Sequence, residues 1–117
     1  MAKRKSLPLG SDPPYPFEVG QIVYSIKGKD AGAWYLVAGY LSEEGRLILL
    51  GVHRGDLVFK KKNPKHIQWT HSVVSEVANR LRGGSIIDPG WLIERVSAAG
   101  CEIEGGSRRM KQPYDQR

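Results

Sequence analysis

Lysines dominate the residues of this chain that are able to do chemistry, and they gather in two places. Lys27 and Lys29 flank Gly28 in Lys27-Gly-Lys-Asp-Ala-Gly32, and Lys60, Lys61, Lys62 and Lys65 crowd into Lys60-Lys-Lys-Asn-Pro-Lys-His66. Glycines at 28 and 32 let the backbone turn sharply and approach a ligand with no Cβ in the way. Backbone N–H groups beside lysines suit phosphate oxygens. In the second stretch, four lysines within six residues repel one another. A phosphate backbone would relieve that repulsion through counterion release. Taken alone, such a run is as readily a solvated charged face; sharing a small domain with Lys27 and Lys29 favours the binding reading. Arg54, in the turn just before, is expected on the same surface, with His66 adding to it. Trp34, just past the glycine loop, offers a stacking face for an unpaired base. Its alternative is a place in the core, since strand alternation puts one of Trp34 and Tyr35 inside and the other outside.

Other chemistries find little support. His66 and His71 stand five apart with no cysteine or carboxylate at ligand spacing, and His53 is alone in a turn, so no metal site is expected. Glu43-Glu44 falls in a turn, where solubility explains it better than acid–base work does. The single cysteine, Cys101, rules out an intramolecular disulfide framework and a four-thiolate zinc site. Gly28–Gly32 lacks the Gly-Lys-Ser/Thr ending of a P-loop. The expectation is a binding protein and not an enzyme, with no cofactor and no small-molecule substrate.

The charge distribution agrees with a polyanion partner. The net charge of +6 over 117 residues is uneven: residues 19–70 hold eight basic and four acidic groups, while residues 71–100 hold three of each. A localised basic excess is the electrostatic footprint of nucleic acid binding. No apolar run approaches the ~20 residues that span a bilayer. Lys3, Arg4 and Lys5 are not followed by the apolar segment of a signal peptide. A cytoplasmic protein without a membrane partner is expected.

The elements that must position these lysines are mostly strands. Residues 1–18, with four prolines, read as a mobile basic arm. Val19–Ile26, Trp34–Leu41, Arg46–Val52, Leu57–Lys60 and His66–Thr70 have strand composition, separated by the turns Ser42–Gly45 and His53–Asp56. Five short strands with no helix between them predict an antiparallel barrel over residues 19–70. Pro64 argues against continuous pairing and suggests a rim loop. A helical pair is predicted over residues 71–100, packed on the barrel. Its first helix is capped by Ser72, carries Val73, Val74, Val77 and Leu81, and stops at Gly83-Gly84. The second begins at Asp88-Pro89, buries Trp91, Leu92 and Val96, and ends at Gly100. Residues 101–117, with Gly105-Gly106 and Arg108-Arg109-Met-Lys111, read as a flexible tail.

The segment Gly20-Gln21-Ile22-Val23 followed by Gly28-Lys29-Asp30-Ala31-Gly32 resembles the KOW domains, whose pattern is a Gly-Gln-x-Val strand and a Gly-x-x-x-Gly loop entering a second apolar strand. Val23-Tyr-Ser before the loop and Lys60-Lys-Lys-Asn-Pro-Lys-His-Ile67 are similar to the bacterial relatives of the fourteen-e class of large-subunit ribosomal proteins. The resemblance covers roughly residues 19–82. It implies an SH3-like five-stranded antiparallel barrel in a mainly β fold, followed here by the two short helices. It also implies RNA, ribosomal RNA in particular, as the partner, with ribosomal proteins as further neighbours. The binding residues read from the chain itself are Lys27, Gly28, Lys29, Gly32, Trp34, Arg54, Lys60, Lys61, Lys62, Lys65 and His66. Relatives often carry a basic residue just after the second loop glycine, where this chain has Ala33. The rival expectation is an SH3-like protein-interaction module of the transcription or translation machinery, because fold resemblance alone does not fix function.

Overall fold

The structure, a computed structural model, describes residues 10–99. It is mainly β. Strands β1 (Gln21–Ser25), β2 (Trp34–Leu41), β3 (Arg46–His53) and β4 (Asp56–Lys62) follow in sequence. A 3-10 turn (Pro64–His66) leads into β5 (Ile67–Val73), and two helices follow, α1 (Ser75–Gly83) and α2 (Pro89–Ala98). The sheet order is β4-β3-β2-β1-β5, antiparallel throughout. Among the described residues the sheet is not closed, and β4 and β5 are its two edges. The turns form where their residue types predict. Gly45 takes φ +68 in the β2–β3 turn. Arg54 and Gly55 take φ +53 and +82 between β3 and β4. Two successive positive φ values mark a type I′ turn, whose twist matches that of the flanking strands.

Both faces of the sheet are buried, which explains why its central strands read as continuous apolar runs. On one face Trp34, Leu36 and Ala38 of β2 and Ile48, Leu50 and Val52 of β3 form a cluster with Val77, Leu81, Leu92 and Val96 of the helices. On the other, Tyr35 and Val37 of β2 and Leu47 and Leu49 of β3 pack with Phe17, Val23 and Ile67. The expectation that Trp34 and Tyr35 divide between core and surface is therefore corrected. They do point to opposite faces, but both faces are covered, and the two residues are 6% and 5% exposed. Burying side chains of this size stabilises the fold by roughly 1.5–3 kcal/mol each.

The first helix starts later than its sequence suggests. Ser72 and Val73 lie in β5, and the cap position falls to Val74, which makes no side-chain capping bond. Its backbone N–H instead donates to the Gly20 carbonyl at 2.8 Å. Gly20 has φ +89, and a Cβ there would stand 2.8 Å from the Ala78 Cβ and 2.9 Å from the Val74 carbonyl oxygen. The first glycine of the Gly-Gln strand thus seats α1 against the sheet, a contact that sequence-local capping rules do not see. Gly84, at φ +72, ends α1 with its N–H on the Arg80 and Leu81 carbonyls. The start of α2 follows its signal: the Asp88 carboxylate accepts from the Trp91 N–H at 3.0 Å, and Pro89 opens the helix. Leu92 and Val96 are buried, while Trp91 is half-buried beneath the Arg80 guanidinium, 4.1 Å from its ring. The helix is capped by Ala99; Gly100 lies outside the described residues.

Residues 10–18, expected as part of a mobile arm, are fastened to the sheet. The Ser11 N–H donates to the Tyr40 carbonyl at 2.8 Å, Asp12 pairs with Arg82 at 3.3 Å, and Phe17 joins the second cluster. Burial of Phe17 offsets the entropy that kept the arm free in the sequence reading. Residues 1–9, Cys101 and the Arg108-Arg109-Met-Lys111 cluster lie outside the described residues. Among the described residues no helix is long and apolar enough to cross a membrane.

Candidate nucleic-acid interface

The glycine loop between β1 and β2 is held by its own backbone and by one carboxylate. Gly28 and Gly32 adopt φ +92 and +94, the region glycine enters without strain. The Gly32 N–H donates to the Ser25 carbonyl at 2.7 Å, and the Ala33 N–H to the Asp30 carbonyl at 2.8 Å. The Asp30 side chain is the hub. One oxygen accepts from Lys62 Nζ at 2.7 Å and from Ser25 Oγ at 3.0 Å; the other accepts from the Tyr35 hydroxyl at 2.6 Å. One carboxylate therefore ties the loop to β1, β2 and β4. Burial pushes the Asp30 carboxyl up, but the bonds from Lys62, Tyr35 and Ser25, with the Lys62 charge, outweigh it and hold the group below its ordinary value. Burial, and then the Asp30 carboxylate, push the Tyr35 phenol well above its usual value.

The same contacts bring the two lysine-bearing segments together. Besides the Lys62–Asp30 pair, the Ile26 N–H donates to the His66 carbonyl at 2.9 Å, and a Cβ on Gly28 would stand 3.4 Å from Lys62 Nζ. Segments more than 30 residues apart in sequence thus share one rim. Pro64 ends β4 as its chemistry predicts, and Asn63 fixes the 3-10 turn by accepting from the Lys65 N–H at 2.9 Å. Lys27, Gly28, Lys29, Lys60 and Lys65 are exposed on this rim, and His66 and Gly32 are partly buried. Lys60 and Lys62 stand opposite Leu49 and Leu47, and Lys61 opposite Ile48. Lys60 and Lys62 accordingly face one side and Lys61 the other, where its ammonium lies 3.7 Å from Glu44.

Three expected contacts are relocated. Trp34 presents no face to a base: it is buried, with Tyr24 packed edge-on at 4.8 Å. Lys62 is not a free cation, because Asp30 holds it and its side chain is 19% exposed. Arg54 sits in the turn at the far end of β4, about 20 Å along the strand from Lys62 at ~3.3 Å per residue. Ala33 is 1% exposed in the second cluster, a place unsuited to a charge. The residue that sequence reasoning missed is Asp30. Its signal was a lone acid between two loop glycines in an otherwise basic stretch.

No protein-family model and no curated protein sequence matches the chain.

Proposed function

We propose that this protein is an RNA-binding module with an open SH3-like barrel of the KOW type, and that structured RNA, ribosomal RNA foremost, lies along the rim of the glycine loop and the 3-10 turn. The observation that supports this reading best is the meeting of the two basic segments. Lys27, Lys29, Lys60 and Lys65 are exposed there, while the Asp30 carboxylate of the glycine loop is already bonded to Lys62. Unpaired ammonium groups beside backbone turned by glycine suit phosphate oxygens and supply affinity with little sequence information. Each phosphate contact contributes about 0.7–0.9 to the slope of log affinity against log salt. Changing Lys27, Lys29, Lys60 and Lys65 together to glutamine, with Lys62 left on Asp30, is expected to flatten that slope by about 3. It should also abolish low-salt cosedimentation with ribosomal subunits. An unchanged slope would remove this rim from the reading. Capture of a partner that survives ribonuclease, with no RNA retained, would favour a protein-interaction module instead.

A further inference from the structure

With Trp34 in the core, a bound single strand lacks the stacking partner that the sequence suggested, and the structure offers another. The ladder between β1 and β5 shifts register between Gln21↔Val73 and Val23↔Trp69, so extra residues of β5 bulge out around Thr70–Ser72. The bulge is built from specific bonds. Thr70 Oγ1 donates to the Ile22 carbonyl at 2.7 Å and accepts from the Ser72 N–H at 3.1 Å. The Gln21 amide, in a residue only 2% exposed, donates to the Thr70 carbonyl at 2.9 Å and to the Pro16 carbonyl at 3.2 Å. Bulges re-aim side chains, and here the result is a pair of rings. Half-buried Trp69 packs at the margin of the second cluster, and exposed His71 meets it at 86°, centroids 5.0 Å apart. Through its bond to Pro16, the same Gln21 amide brings the segment with Tyr15, 94% exposed, beside the bulge.

We propose that Trp69 and His71 form a platform for an unpaired nucleobase, continuous with the lysine rim. This rests on the RNA reading above. Trp69 lies three residues beyond His66, about 10 Å along β5. That span is within the reach of neighbouring nucleotides of one strand. A strand whose phosphates meet Lys65 and the glycine loop therefore carries a base to Trp69 without leaving the surface. Aromatic stacking tolerates any base, so the platform selects single-stranded over paired RNA and not one sequence over another. The second residue of the Gly-Gln strand acquires a role with it: buried Gln21 is a positioning residue that holds the bulge in shape.

Tryptophan fluorescence titrated with a short single-stranded oligouridylate, and with a duplex of equal length, tests this. Trp34 is buried and Trp91 is covered by Arg80, so quenching should come from Trp69. The wild-type protein is expected to bind the single strand with quenching, and Trp69→Ala to bind it about tenfold or more weakly. That variant should keep the wild-type salt slope, and Trp69→Phe should recover most of the affinity. His71→Ala, at an exposed position, gives the same direction if Trp69→Ala fails to fold. Full affinity in both Trp69→Ala and His71→Ala, with weakened binding in the lysine variant, overturns the platform and leaves the rim reading intact. No RNA binding by the wild-type protein overturns both.

Discussion

Asp30→Asn keeps the shape of a side chain and removes its charge, which isolates what the carboxylate does in the loop. In the native fold Asp30 accepts from Lys62, Tyr35 and Ser25 at 2.7, 2.6 and 3.0 Å, and the Asp30 and Lys62 side chains are 16% and 19% exposed. The asparagine oxygen can still accept from Lys62 and Ser25, and its amide can turn to donate to the Tyr35 hydroxyl. The hydrogen bonds survive as neutral or half-charged ones, each about 1 kcal/mol weaker than its charge-assisted counterpart. The Lys62 ammonium also loses its counter-charge in a poorly solvated place. Solvent at the margin of the pair reduces the effect, so the expected loss is about 2 kcal/mol. For a fold of this size that is a fall in melting temperature of about 10 °C. Urea unfolding of the wild type, Asp30→Asn, Lys62→Met and the double variant gives the coupling directly, expected near ~1–2 kcal/mol. Charge counting alone predicts that deleting an acid from a basic rim strengthens RNA binding. If the carboxylate shapes the loop, binding weakens severalfold with an unchanged salt slope. A destabilisation below ~0.5 kcal/mol with no coupling, together with tighter RNA binding, would refute the reasoning and make Asp30 a competitor for Lys62.

The same network fixes a pH response. Because the Asp30 carboxyl is held below its ordinary value, its contribution is full above ~4 and is lost as pH falls through the folded value; Asp30→Asn should show a shallower acid-side loss in thermal melts. The raised Tyr35 phenol has the opposite sign: its contribution is full below ~10 and declines at higher pH, and Tyr35→Phe should flatten that limb. Gly20→Ala and Gly55→Ala place a Cβ at φ +89 and +82, but the first strikes Ala78 and Val74 while the second meets open space. Chemical denaturation should show a cost of about 1 kcal/mol for Gly55→Ala and at least twice that for Gly20→Ala; equal costs would mean that α1 yields freely.

Much of this fold is legible because its local signals agree with its tertiary demands. Trp34–Leu41 forms a strand over the residues that its composition marks, and Asp88-Pro89 opens α2 as a cap and a first-turn proline should. The misreadings fall where distant partners decide. Ser72 is a good cap by type, yet β5 runs through it because Gly20 receives the Val74 N–H from across the chain. Trp34 stands beside a glycine loop in sequence, but the helices that cover its face come some 40 residues later. Lys60, Lys61 and Lys62 look alike in a sequence, yet the loop carboxylate, 32 residues away, holds Lys62, and Glu44 stands 3.7 Å from Lys61. Strand alternation separates Lys61 from its neighbours, which depends on the pleat alone.

The lysines of β4 carry a second consequence. Among the described residues β4 has a hydrogen-bonded neighbour on one side only. An edge strand with unpaired N–H and C=O groups is a template for another chain, and lysine is a common guard against such pairing. Lys60, Lys61 and Lys62 occupy the last three positions of that strand. Replacing them with neutral residues would lift electrostatic repulsion between copies and, on the reading proposed above, remove the phosphate contact assigned to Lys60. Such a variant is expected to elute as larger species on size-exclusion chromatography as its concentration rises. Like charge at this edge would thus oppose pairing between copies through the same groups that a polyanion would draw in, and a bound strand would screen the edge it covers.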